Sequence, residues 1–229
     1  MAKFIVIDGL DGCGKATQTE LLKDALERKG KKVIKLSFPN YESDSSAAVK
    51  MYLNGKLGDN PSNLNPYMCG TFYAVDRFIQ YITDWKKYLD EDDNTFIISD
   101  RYLSANIIHQ GGKIESREDR LKYAKWCYEY ECGLCGLPKE DLTILLTINP
   151  KTSQLLLNNR YNGDESKKDI HELDLEYLCK CYERLLETYE DIQNLANWKH
   201  LSCDSDSENG VKSIEEIHLE VMKLVSQLV

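Results

Sequence analysis

The sequence predicts a doubly wound α/β fold, a parallel sheet with helices on both faces. Three observations predict it. A glycine-rich loop, Gly9-Leu-Asp-Gly-Cys-Gly-Lys15, follows a short apolar run and opens a helical pattern. Five strand-prone segments recur along the chain, and four are dense in Val, Ile, Leu and Phe with little alternation, as in strands buried on both faces. Helical stretches separate them.

The elements follow in order. Strands are expected at Phe4–Ile7, Val33–Phe38, Thr95–Ser99, Leu142–Ile148 and Lys199–Ser202. A helix is expected from Lys15 to Lys29, with Leu21, Leu22, Ala25 and Leu26 on one face and Gly30 as its stop. A second starts after Asn65-Pro66, a cap followed by proline at the first helical position, and runs to about Leu89. Further helices are expected over about 117–132, 151–159, 173–194 and 214–229. Asp90–Asn94 and Asp204–Gly210 read as polar turns.

Composition narrows the class. The 229 residues suit one domain, 1–229, with a hydrophobic fraction of 42% that can fill a core. A net charge of −9 argues against a nucleic-acid groove. No apolar run reaches the length of a membrane span, and Met1-Ala2-Lys3 leads directly into the first strand without room for a secretory leader. Cys132 and Cys135 have metal-ligand spacing, but no histidine lies near them in sequence. The eight cysteines are expected to be reduced thiols of a cytoplasmic protein.

The loop Gly9–Lys15 fits the phosphate-loop spacing G-x-x-x-x-G-K. Its glycines let backbone N–H groups turn inward around a polyphosphate, its lysine reaches the β- and γ-phosphates, and the following helix points its positive end at the anion. The hydroxyl residue that holds Mg²⁺ in that pattern is replaced by Ala16, with Thr17 one place later. In doubly wound sheets ligands bind outside the carboxyl ends of the strands. Those ends carry Phe38-Pro39-Asn40-Tyr41 and Ser99-Asp100-Arg101-Tyr102, and the long helix between them carries Phe72, Tyr73, Asp76 and Arg77. An aromatic ring and two arginines suit a nucleotide, with the ring on the base and the guanidiniums on its phosphate. No Asn-Lys-x-Asp guanine signature occurs, which disfavours a switch GTPase.

These segments together resemble the thymidylate kinase family, which phosphorylates dTMP with ATP. The family's loop appears as Asp8 to Lys15, its Phe-Pro-x-Tyr segment as Phe38 to Tyr41, and its Phe-x-x-x-Asp-Arg helix segment as Phe72 to Arg77. Its Asp-Arg-Tyr segment closing in Gln-Gly appears as Asp100 to Gly111, and Gly136–Asp141 resembles its run into the fourth strand. The resemblance implies the P-loop nucleoside monophosphate kinase fold, a five-stranded parallel sheet flanked by helices, with a lid over about 152–172. It implies ATP on Gly9, Leu10, Asp11, Gly12, Cys13, Gly14, Lys15, Ala16 and Thr17, and Mg²⁺ near Asp11. It implies an acceptor held by Phe38, Tyr41, Phe72, Arg77, Asp100, Arg101, Asn106, His109 and Gln110, with Phe72 on thymine and Arg77 and Arg101 on the phosphate. His109 fills a place whose ring stands near C2′ of the acceptor sugar. Lys15, Asp11, Arg101 and Arg160 would carry the transfer. Gly12 stands where one branch has a loop arginine, so the resemblance is to the bacterial-type branch, whose lid supplies Arg160, helped by Lys167 and Lys168. A homodimer is implied as well. The chain departs from the pattern at Ala16, Ala105, His109, Thr147 and Ile170. A kinase of this fold for another nucleotide or nucleoside, and a nucleotide-binding protein without turnover, are the alternative readings.

Overall fold

A computed structural model describes residues 1–58, 60, 63–160, 174–205 and 210–228, with the backbone alone at Asn159 and Arg160. Five strands, β1 (Lys3–Gly9), β2 (Lys32–Ser37), β3 (Thr95–Asp100), β4 (Leu142–Thr147) and β5 (Trp198–Ser202), form one parallel sheet in the order β2-β3-β1-β4-β5. Seven α-helices accompany it among the described residues: α1 (Lys15–Arg28), α2 (Ala47–Leu53), α3 (Pro66–Gln80), α4 (Arg117–Tyr128), α5 (Pro150–Arg160), α6 (Leu175–Ile192) and α7 (Ile214–Val225).

The central strands bury both faces, as their continuous apolar runs require. Phe4 and Val6 of β1 enter a core shared with Trp85, Ile97, Tyr102 and Tyr123. Ile5 and Ile7 enter the opposite core, with Leu22 and Leu26 of α1 and Val221 of α7. The expectation of double burial fails at β2. It is an edge strand, and of its six residues only Leu36 is buried.

The start of α3 follows its sequence signal. Asn65 accepts hydrogen bonds from the Tyr67 and Met68 amides at 2.9 and 3.1 Å, and Pro66 needs no donor at that place. The helix does not continue as one α-helix to Leu89. It widens to a π turn over Tyr81–Trp85 and tightens to a 3₁₀ turn over Lys86–Tyr88. That change of pitch seats Trp85 in the core, 5.5 Å from the Phe4 ring. Two elements go beyond the sequence reading. Helix α2 is short, and a π segment over Asn106–Gln110 is buried throughout, so its residues show no amphipathic period.

Parallel strands deliver their carboxyl ends to one edge. The register puts Ile7 beside Asp100 and Gly9 beside Leu146. Gly9 lies so close to β4 that a Cβ there would sit 2.0 Å from the Leu146 carbonyl oxygen, which excludes every other residue type.

Candidate active site

The loop after β1 is built from left-handed glycines. Gly12 and Gly14 have φ of 81° and 89°, a region that glycine enters without steric cost. Gly14 is the N-cap of α1 and offers no side-chain cap, so the helix's amide dipole opens onto the loop. Lys15 is buried, and its Nζ donates to the Leu10 carbonyl at 2.8 Å, 3.5 Å from Asp11 Oδ1. Asp11 Oδ1 also receives the Arg101 guanidinium. One carboxylate thus sits between the two cations.

Arg101 follows β3 with φ of 69°, the single non-glycine residue with positive φ among the described residues. Such a backbone costs about 1–3 kcal/mol and collects at functional sites. Its amide donates to the Ile7 carbonyl at 3.0 Å, and its carbonyl accepts the Ser99 hydroxyl. Both bonds hold the turn that aims the guanidinium at the loop. Beneath it lies Asp8, whose oxygens accept the Gly9 amide and the Ser104 hydroxyl. Burial pushes the Asp8 carboxyl above its ordinary range, and Arg101 and Lys15 pull the other way.

A cleft of about 910 Å³ opens over these groups. It is lined by Asp11, Gly12, Gly14, Lys15, Ala16 and Thr17 on one side, and by Phe38, Tyr41, Lys50, Asp100 and Arg101 on the other. Gly9, Leu10 and Cys13 do not line it. The side chains of Leu10 and Cys13 are buried in the core, so these places supply backbone alone. Helix α5 closes over the loop. Ser153 donates its hydroxyl to the Asp11 carbonyl, and a Cβ on Gly12 would meet Ser153 Oγ at 2.6 Å. An arginine at Gly12 is therefore incompatible with this docking. The backbone of Arg160 ends α5, while Lys167, Lys168 and Ile170 lie outside the described residues. Thr147, at the end of β4, pairs its hydroxyl with His200 Nε2 at 2.6 Å.

The cleft continues into a recess of about 20 Å³, lined by Phe38, Tyr73, Arg77, Arg101, Asn106, His109 and Gln110 among others. Two expectations are corrected here. Phe72 does not face it. Its ring packs with Val49, Tyr52 and Cys69, 6.4 Å from the Tyr52 ring. Tyr73 lines the recess instead, because it stands four residues before Arg77 and so shares its helix face. That spacing was readable in the sequence.

Arg77 is not free to grip a phosphate. It is 1% exposed, and its Nε and Nη2 donate to the two oxygens of Glu131, both at 2.7 Å. Burial opposes its charge, yet the Glu131 carboxylate more than compensates and raises its pKa. The neutralised pair can still donate hydrogen bonds, but supplies no net charge to a dianion. Glu131, in a π segment over Glu129–Leu134, carried no sequence signal for this role. Asp76, beside Arg77 in sequence, accepts the Asn40 amide at 2.9 Å and so anchors the Phe38–Tyr41 turn to α3.

The family model described as "Thymidylate kinase" matches residues 7–204. The chain belongs to the thymidylate kinase family. It is 30% identical to the thymidylate kinase of Mycobacterium tuberculosis over 76% of this chain and 79% of that one. It is 24% identical to that of Plasmodium falciparum over 99% of this chain and 90% of the other. The fold matches the thymidylate kinase structure from Candida albicans with a TM-score of 0.66 at 18% identity, covering 99% of this chain and 92% of that one.

The two arginines separate by stability. Arg77→Ala leaves Glu131 buried and unpaired, and is expected to lower the unfolding free energy by about 3–5 kcal/mol. Arg101, whose side chain is 23% exposed, should cost about 1 kcal/mol or less on truncation. Urea unfolding of both variants checks this, and equal losses contradict it.

Proposed function

We propose that the protein transfers the γ-phosphoryl group of ATP to dTMP. The observation that carries this reading is the placement of Lys15, Asp11 and Arg101 together at the junction of the phosphate loop and the acceptor side of the cleft. Phosphoryl transfer asks a protein chiefly to position two nucleotides and to neutralise developing charge. The loop amides and the start of α1 would hold the ATP phosphates. Lys15 would leave the Leu10 carbonyl for the β- and γ-phosphates. Arg101 would bind the acceptor phosphate, with Tyr41 and Asp100 beside it. The lid expected over about 152–172 falls largely outside the described residues; with Arg160 as its cation, the transfer would need no arginine at Gly12.

The recess suits a keto pyrimidine. Asn106 Nδ2 spends both hydrogens, on the Gly70 carbonyl at 3.1 Å and on Glu131 Oε1 at 3.2 Å. That leaves Oδ1 as its acceptor. Of the five N–H groups of Arg77, two go to Glu131 and one to the Tyr102 carbonyl at 3.3 Å, which leaves donors. A donor beside an acceptor matches O4 and N3–H of thymine, whereas cytosine presents the reverse pair. The recess holds about one water as it stands, so base entry widens it. Tyr73 would stack on the base, Gln110 would line its edge, and His109 would stand by the sugar.

Coupled ADP release across a panel of monophosphates tests the reading. Turnover with dTMP is expected to exceed that with dCMP, AMP and GMP, and Lys15→Met should lower kcat by about 100-fold or more. A wild-type protein that binds both nucleotides without turnover overturns it.

The donor set also fits Mg²⁺, which favours oxygen ligands, keeps several waters and uses one or two carboxylates. Asp11 and Asp100 both line the cleft by the loop, and Ala16 offers no oxygen in its side chain. Bound there, Mg²⁺ would neutralise phosphate charge. Asp11→Asn is expected to raise the Mg²⁺ concentration for half-maximal rate several-fold. An unchanged dependence removes Asp11 from this role.

We further infer a cytoplasmic homodimer. All eight cysteines are free thiols, which suits a reducing compartment, and no described helix is long and apolar enough to cross a membrane. Met68, Val75, Ile79 and Ile82 leave an exposed apolar stripe along α3 and the turn after it, a surface suited to a second copy. Ile82→Glu should shift the sedimenting species from dimer to monomer. A wild type that sediments as a monomer at micromolar concentration rules the dimer out.

A further inference from the structure

We propose that Glu131 is the positioning residue that sets the base preference of the recess, an inference that rests on the acceptor reading above. Its carboxylate is fully buried and accepts three N–H groups, two from Arg77 at 2.7 Å and one from Asn106 at 3.2 Å. Both donors belong to residues that line the recess. Glu131 does not line it, so it acts through them.

The chemistry is one of orientation. An asparagine amide can lie either way round, and only its neighbours decide. Here the Gly70 carbonyl and the Glu131 carboxylate are both acceptors, so Nδ2 must face them and Oδ1 is left for a ligand. The same carboxylate draws Nε and Nη2 of Arg77 into a fork. This fixes the plane of the guanidinium and leaves its spare N–H groups as donors. One buried carboxylate therefore bears on both halves of a donor–acceptor pair that accepts a keto pyrimidine and rejects an amino pyrimidine, sharing the Asn106 half with the Gly70 carbonyl. A site built this way discriminates strongly, because the wrong base leaves buried polar groups unpaired.

Glu131→Gln keeps the shape and removes this logic. A glutamine has one oxygen for three N–H groups, so at least one of them loses its acceptor whichever way the amide lies. Asn106 then keeps only the Gly70 carbonyl to hold Nδ2 in place, so turning Nδ2 toward the recess breaks one hydrogen bond instead of two. The experiment compares kcat/KM for dTMP and dCMP, with ATP as donor, in the wild type and in Glu131→Gln. The expected result is a fall of about tenfold or more in the dTMP-to-dCMP ratio, carried by a higher KM for dTMP, with the KM for ATP unchanged. A ratio within about twofold of wild type overturns the proposal, as does a matched loss of kcat with both acceptors. A wild type with no dTMP turnover defeats the acceptor reading itself, which is a different failure. Glu131→Asp keeps the charge but is too short to serve both partners, and its ratio should fall by about threefold or more. If neither variant folds by circular dichroism, Glu131 is a core residue only and the proposal is wrong.

Discussion

Gly9 approaches the Leu146 carbonyl so closely that a Cβ would lie 2.0 Å from its oxygen, and this contact seats the end of β1 against β4. Everything at the carboxyl edge of the sheet takes its place from there. With β1 also paired to β3, the loop that starts at Gly9 lies beside Asp100 and Arg101. Residues some ninety positions apart then share one carboxylate, Asp11, as Lys15 and Arg101 do. A sheet in antiparallel register would send these ends to opposite edges.

Electrostatics divides the arginines at the site into two kinds. Arg101 sits on a left-handed backbone, partly exposed, with its charge shared with a cleft carboxylate. It can exchange that partner for a phosphate at small solvation cost. Arg77 is deep in the core, and its charge is cancelled by Glu131. Extracting it for a phosphate would leave a buried carboxylate unpaired, a larger penalty than a single charge-assisted hydrogen bond returns. The same depth makes it suited to reading a neutral edge, where geometry rather than net charge carries the discrimination.

Much of this was legible along the chain. The phosphate loop, the carboxyl-end segments and the cap at Asn65 are local signals, set by backbone conformation and hydrogen bonding within a few residues. The central strands were equally plain, since burial on both faces removes alternation. Edge strand β2 misled because an apolar composition does not say which strands lie at the rim. The turn over Asn106–Gln110 carried no period because all its residues are buried. Thr147 is one of the chain's departures from the family pattern, and its pairing with His200 connects two strands that no local signal joins.

What the sequence determined by itself was the kind of site: an anion cradle at the first turn of a parallel sheet, with aromatic and cationic residues at the neighbouring strand ends. Those features depend on residue types at short spacing. Which ring lines the recess, and which arginine keeps its charge available, were decided only by tertiary structure. Phe72 and Tyr73 both pack beside Tyr52, but one helical step of 100° lets Tyr73 alone of the two line the recess. The approach of Glu131, fifty-four positions away in sequence, converts Arg77 from a free cation into half of a neutral pair. Side-chain identity sets what a residue can do, but burial and a long-range partner set which of those things it does, and neither is written in the local sequence.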